Sequence, residues 1–236
     1  MVDFKNFSIL FKKLVKEEPN FENLLKEGRK LVSELTGDPS FLKDFFERVI
    51  TDDDFAYNRW PTMDYNEITL YRDEEGLFSV RLFLWYPHVT YYPHSHGSWG
   101  IVGCITGEVS EIKYRRLDDG KNPFYAELKE DSKFILKPGE TTYVLPLNEG
   151  IHSMFSNIDK PSLTLHVYGK PVRKGYFEIF EPSRKTIYRV YSNKYKDRVH
   201  VINILKNINA DWSLELLKKA KDSKLEFISE EASFIY

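Results

Sequence analysis

In the first fifty residues apolar positions return every three or four residues: Phe4, Phe7, Leu10, Phe11 and Leu14 form one stripe, with charged residues opposite. The spacing predicts a helix there, a second from Phe21 through Leu35 ending at Gly37-Asp38-Pro39, and a third from Ser40 to Ile50 with Ser40 as its cap. The charged run from Lys12 to Glu18 reads as a solvated helix face. From about Glu67 the period changes to that of strands. Ile68 to Arg72, Leu77 to Tyr86, Trp99 to Thr106, Val109 to Tyr114, Phe124 to Leu128, Ser132 to Leu136, Thr141 to Leu145, Ile151 to Ser156 and Ser162 to Tyr168 are short and rich in β-branched and aromatic residues. Turn signals such as Asp73-Glu74-Glu75-Gly76, Asp118-Asp119-Gly120, Pro138-Gly139 and Asn148-Glu149-Gly150 separate them. Strands at this spacing predict a closed barrel or a double-sheet roll.

After Pro182 a strand-like Thr186 to Tyr191 precedes two helical patterns, about Asp197 to Ile208 and Asp211 to Ala220. No internal repeat or low-complexity linker breaks the chain. The expected organisation is therefore a single domain over 1–236, with a helical region at 1–52, a β-barrel core at 65–181 and a strand and helices at 182–236 packing on that core.

Composition narrows the function classes. With 42% hydrophobic and 15% aromatic residues in 236, the chain can bury a sizeable core. Lys and Arg number 34 against 36 Asp and Glu, a net charge of −2, so there is no electrostatic footprint for nucleic acid or a membrane surface. One cysteine, Cys104, excludes an intramolecular disulfide. The first residues carry charges through their apolar pattern, unlike a signal peptide, so the cytosol is the expected compartment. No pattern fixes the oligomeric state.

Against this background the stretch Pro93-His94-Ser95-His96 stands out. Two imidazoles two residues apart share one face of an extended segment, and in a small barrel His152, following the Glu149-Gly150 turn, can converge on them. Three neutral imidazoles make a transition-metal site. His88 and His200 read as ordinary surface or core residues. The bare pattern leaves open a metal-dependent isomerase, a dioxygenase of carbon substrates, or a catalytically silent binder of a metal or small molecule.

The pattern around these residues resembles the cupin signature. Its first motif, His-x-His followed by Glu and then Gly, corresponds to His94, His96, Gly100 and Gly107, and its second, with proline and glycine before a His and Asn after it, corresponds loosely to Pro146, Gly150, His152 and Asn157. The resemblance implies a mainly β fold, the cupin double-stranded β-helix or jelly-roll barrel, with N-terminal helices and a C-terminal α/β extension. Gly100 stands where a typical cupin has its glutamate ligand, which leaves an all-histidine site whose full charge favours an anionic donor such as a thiolate.

Within cupins that combination resembles the thiol dioxygenases of the cysteine dioxygenase family. Ser162-Leu163-Thr164-Leu165-His166-Val167-Tyr168 is similar to the family's Ser-x-His-x-Tyr segment, with Thr164 in the place of serine. The strand ending in Trp85 and the stretch Trp99-Gly100-Ile101-Val102-Gly103 look nearer to the bacterial 3-mercaptopropionate dioxygenase branch. What the resemblance implies is one Fe(II) per chain on His94, His96 and His152, dioxygen as cosubstrate, a small thiol such as cysteine or 3-mercaptopropionate as substrate, and Tyr168 backed by His166 and Thr164 as catalytic group. The family's cysteine-tyrosine crosslink has no counterpart, because its cysteine falls at Gly100; Cys104 reads as a small strand residue. The family's substrate-anchoring arginine has Arg59, Arg72, Arg81 and Arg173 as possible equivalents, with Arg72 and Arg173 the best placed in sequence. Tyr57, Trp60, Tyr91, Tyr92 and Trp99 are candidates for the cavity wall.

Overall fold

The computed structural model describes residues 3–233. It divides into two compact units, one ending at Arg189 and the other beginning at Val190. Helix α1 (Phe4–Glu17) is capped by Asp3, and α2 (Phe21–Thr36) by Asn20, each side chain accepting from a backbone N–H of the first turn. The third helical segment differs from the reading above. Its cap is Asp38, which accepts from Ser40 N; a 3-10 turn Pro39–Leu42 follows, and α3 (Lys43–Thr51) and the short α4 (Asp53–Tyr57) come after it. Proline at the first position of the turn favours a cap one residue earlier than Ser40.

The strands are β1 (Glu67–Arg72), β2 (Phe78–Trp85), β3 (Gly100–Thr106), β4 (Val109–Arg116), β5 (Leu128–Leu136), β6 (Thr141–Val144), β7 (His152–Ser156), β8 (Ser162–Gly169), β9 (Tyr176–Glu181) and β10 (Thr186–Tyr191). They form a five-stranded sheet ordered β1-β2-β8-β3-β6, a three-stranded sheet β5-β4-β7 and the hairpin β9-β10. This is the double-stranded β-helix expected, with helices before it in the chain and others after it. Two strand readings change. Phe124 to Glu127 is not a strand; Asn122-Pro123 makes it a loop, bridged to β10 by Tyr125 with Thr186 and bonded there by Ile187 N to Phe124 O, and only Leu128 begins β5. Ser132 to Leu136 is the second half of the longer β5. Strand β9, opening just after Gly175, was not anticipated.

Alternation along the central strands decides where the site lies. Ile101, Ile105, Leu165, Val167, Val80 and Leu82 face outward and pack with Phe7, Phe11, Val32 and Leu35 of α1 and α2. The other face carries Phe83, Trp85, Val102, Cys104 and Tyr168, which pack with Val109, Leu136 and Met154 of the smaller sheet. Strands buried on both faces explain the near-continuous apolar runs of β3 and β8. Any polar side chain on the inner face is therefore held inside the barrel. In the second unit, α5 (Asn193–Leu205), α6 (Asp211–Lys221) and α7 (Glu226–Ser233) join around Val199, Ile202, Ile228 and Ala232. No helix among the described residues is long and apolar enough to cross a membrane.

Candidate metal centre

His94 and His96 lie on an extended stretch ahead of β3 rather than within it. His94 and His152 exchange both backbone hydrogen bonds, N to O at 2.8 and 3.1 Å, while Ser95 N donates to Glu178 O and Phe180 N to Pro93 O. The stretch is thus clamped between β7 and β9. Leu147 N donates to His96 O at 2.8 Å, and Gly97 O accepts from both Val172 N and Arg173 N, which ties the loop after β8 to the same place.

With the backbone fixed, the three rings converge: centroids are 4.7 Å apart for His94 and His96, 4.8 Å for His94 and His152, and 5.0 Å for His96 and His152. Each offers one nitrogen, and these atoms lie within 4.8 Å of one another; among the described residues this is a group that can hold a metal ion.

The outer bonds set the tautomers. His94 Nδ1 is 3.1 Å from the Tyr92 carbonyl, which only accepts, so Nδ1 carries the hydrogen and Nε2 keeps its lone pair. His152 Nδ1 donates to Glu111 Oε1 at 2.7 Å, leaving its Nε2 lone pair facing His96 Nε2 at 2.9 Å. Burial is the largest single influence on the Glu111 carboxyl and would raise it, but the bond and attraction from His152, together with Lys113 and Thr142, hold the group below its usual range. Glu111 is thus a carboxylate behind a histidine, turned to the nitrogen that faces away from the cluster. Desolvation, and then the neighbouring His152, push His94 down to about 3, and desolvation drives His96 well below its usual value. Three convergent imidazoles, two of them bonded at the far nitrogen so that Nε2 turns to the cluster, fit a transition metal by donor chemistry.

A second polar chain runs along the inner face of β8. Trp85 Nε1 donates to Thr164 Oγ1 at 2.8 Å, Thr164 Oγ1 lies 2.8 Å from His166 Nε2, and His166 Nδ1 lies 2.9 Å from the Tyr168 hydroxyl. The indole can only donate, and among the described contacts His166 Nε2 is the other partner of Thr164 Oγ1, so the arrangement that satisfies the buried threonine hydrogen has Thr164 donate to Nε2, a hydrogen on Nδ1, and Nδ1 donating to Tyr168 Oη. The Tyr168 hydrogen is left to point outward. Its ring centroid is 5.1 Å from that of His96, and burial raises the phenol far above its usual value, so it stays protonated. Cys104 is buried on the same face, its thiol pushed up to about 12 by burial.

Beside the cluster lies a cavity of about 270 Å³ whose wall includes His94, His96, Tyr168, Arg81, Glu67, Asp64 and Arg173. Of the arginines favoured in sequence, Arg173 lines it but is held by Glu178 (2.8 Å) and Ser95 (2.9 Å). Arg72 does not line it; its guanidinium lies 5.5 Å over the Trp60 ring. Arg59 stacks likewise on Phe45 and Phe55. Arg81 projects from the inner face of β2, opposite His166, bonds Glu67 at 2.9 Å and lies 5.4 Å from the Tyr168 ring. The aromatic candidates separate too. Tyr91 and Tyr92 line an adjoining cavity with His94, Trp99 packs on Phe11 and Phe21, and Tyr57 and Trp60 are largely exposed.

Glu111, Asp64 and Glu67 were not singled out from the sequence. Arg81 carried a usable signal, a charge in the middle of an apolar strand; Glu111, in a strand with charges at alternate positions, and Asp64, in a loop, carried none.

No family model matches the chain. Among solved structures it is similar to a DMSP lyase (18% identity, TM-score 0.31, covering 44% of this chain and 46% of that one), so it spans less than half of that relative. It is also similar to a cupin 2 conserved barrel domain protein from Salinispora arenicola (17% identity, TM-score 0.34, 46% of this chain and 79% of that one). Hydroquinone 1,2-dioxygenase from a Sphingomonas species matches at 11% identity and TM-score 0.36, over 50% of this chain and 71% of that one. Its structural neighbours thus include cupin-domain proteins.

Proposed function

We propose that the chain is a non-heme iron thiol dioxygenase, an oxidoreductase that adds both atoms of dioxygen to the sulfur of a small thiol. The observation that carries this reading is the pairing of a carboxylate-free three-histidine group with the Trp85-Thr164-His166-Tyr168 chain, which ends on a hydroxyl donor beside it. A ferrous ion on His94, His96 and His152 would supply open positions for the thiol sulfur and for dioxygen and would lower the thiol's pKa.

The residues of the chain do the rest. Glu111 and the Tyr92 carbonyl orient two of the imidazoles through their far nitrogens. Tyr168, accepting from His166, directs its own hydrogen into the cavity, where oxygen atoms gain negative charge. Arg81, Arg173 and Lys174 are the cations lining the cavity that a substrate carboxylate would meet. The products balance without a further reductant: two S–O bonds form, the O–O bond breaks, and sulfur supplies the four electrons that dioxygen accepts. The cytosol, where ferrous iron and thiols persist, is the compartment this chemistry suits.

The test is to load the protein anaerobically with Fe(II), add cysteine, 3-mercaptopropionate or cysteamine, and follow oxygen uptake. Uptake dependent on one of these thiols supports the reading. Stoichiometric iron with no thiol-dependent uptake overturns it.

A further inference from the structure

The adjoining cavity, of about 160 Å³, meets the first along Phe83, His94 and Phe177, which line both. The two-residue period of the strands builds its wall: Phe83 and Trp85 fall on one face of β2, Phe177 and Ile179 on one face of β9, and Tyr188 comes from β10. The polar atoms of this wall are largely engaged elsewhere. Trp85 Nε1 donates to Thr164, Asn66 Nδ2 donates to Leu84 O at 3.2 Å, Tyr91 Oη accepts from Tyr86 N at 3.1 Å, and the Tyr92 hydroxyl is bonded to Glu181. What these side chains offer the space is mostly ring and aliphatic carbon. Asp64, which lines both cavities, is the charged group of the wall. Tyr92 and Tyr188 are 41% and 48% exposed, so the cavity borders solvent on their side.

We propose that this cavity is an apolar subsite, receiving a ring-sized hydrocarbon group of a small ligand whose other end reaches the histidine cluster. An apolar cavity of about 150 Å³ has room for one benzene ring, whereas water needs about two to four polar partners to settle there. Aromatic walls with few fixed polar groups are the usual lining of a small-molecule site. The Phe177 ring stands edge-on to His94 with centroids 6.3 Å apart, so a group held in the cavity lies beside a member of the cluster. Cysteine, 3-mercaptopropionate and cysteamine would leave this space unfilled. That the far end is a thiol rests on the dioxygenase reading; the apolar subsite does not.

The test begins with the full metal-free chain, titrated calorimetrically with phenol and 2-naphthol and followed by NMR of labelled isoleucine methyl groups. Phenol is expected to bind once per chain and to shift the Ile179 methyl signals, and 2-naphthol, whose second ring exceeds the space, to bind at least about tenfold more weakly. Ile179→Phe, which fills the cavity, is expected to weaken phenol at least about tenfold, and Ile179→Val to leave it unchanged or tighter. No saturable phenol binding, unmoved Ile179 signals, equal binding of 2-naphthol, or an unmoved phenol affinity in Ile179→Phe overturns the subsite. Circular dichroism checks that variant's folding; if it does not fold, the Ile179 signals of the parent decide. In the chain loaded anaerobically with Fe(II), 2-phenylethanethiol is expected to bind at least about tenfold tighter than ethanethiol, an advantage lost in Ile179→Phe. The same advantage in that folded variant overturns the link between cavity and cluster. The phenol titration needs neither metal, sulfur nor oxygen, so absence of thiol-driven oxygen uptake would refute the dioxygenase reading while leaving this result to stand by itself.

Discussion

Gly100 of β3 is the cross-strand partner of Tyr168 of β8, and a Cβ placed on Gly100 would lie 2.8 Å from two carbons of the phenol ring and 3.1 Å from Val144 Cγ2. The glycine does more than omit a ligand. It makes room for the tyrosine at the place where a glutamate or cysteine side chain would have to stand. Because Tyr168 is held from behind by His166 and Val144 is buried, the ring cannot yield without breaking the chain of bonds behind it. Gly100→Ala is therefore expected to destabilise the fold by about 1–3 kcal/mol. It should also lower the rate of sulfinate formation at least about tenfold by misplacing the hydroxyl, with iron content retained. Metal analysis beside steady-state rates separates the two effects.

Glu111 should matter through His152. In Glu111→Gln the acceptor for His152 Nδ1–H becomes a neutral amide, and iron affinity is expected to fall about 10- to 100-fold. His152→Ala should lose tight binding altogether. Competition with a chromogenic chelator measures both; unchanged affinity in either variant removes that residue from the centre.

The direction of the Trp85-Thr164-His166-Tyr168 chain can be tested by isosteres. Thr164→Val leaves both the buried Trp85 N–H and His166 Nε2 without a partner, a loss of about 1–3 kcal/mol each at most, and frees His166 to choose the other tautomer. Thr164→Ser keeps the hydroxyl and should behave like the parent. Chemical denaturation and turnover are expected to fall together for Val and to recover for Ser.

Asp64 gives a prediction in pH. Its carboxyl is raised to about 6 by burial and then by Glu67, with Arg81 opposing and Tyr168 also nearby. A raised pKa means the folded state favours the neutral acid: the contribution is full below the unfolded value near 4 and is lost as pH rises through about 6. Asp64→Asn, which does not titrate, should therefore be more stable than the parent at pH 7, by about 1–3 kcal/mol, and no more stable below pH 4. Urea midpoints across that range decide it.

The sequence announced more of this site than of its surroundings. His94 with His96 and the alternation Thr164, His166, Tyr168 are local patterns, so a two-residue period puts them on shared faces before any tertiary contact is known. Helices α1 and α2 were legible for the same reason, since their stripe repeats over several turns. What stayed hidden depends on long-range pairing. Glu111 meets a histidine 41 residues away, and Arg173 is held by Ser95, 78 residues away, facts that spacing alone does not encode. Arg72 was better placed than Arg81 in sequence, and the pleat reverses that order: Arg81 is on the inner face opposite His166, whereas Arg72 ends its strand over Trp60. Strand β9, six residues between loops, closes against the His94 stretch, a contact set by topology rather than by its own composition.

The central claim, that sulfur receives both atoms of dioxygen, is tested most directly by isotope. The iron-loaded protein is supplied with the thiol that drives oxygen uptake and with oxygen-18 gas, and the sulfinate is examined by mass spectrometry at early times. The account predicts sulfinate carrying two labelled oxygen atoms, with one dioxygen consumed per product. Singly labelled sulfinate, or oxygen consumed only to make disulfide and peroxide, would contradict it.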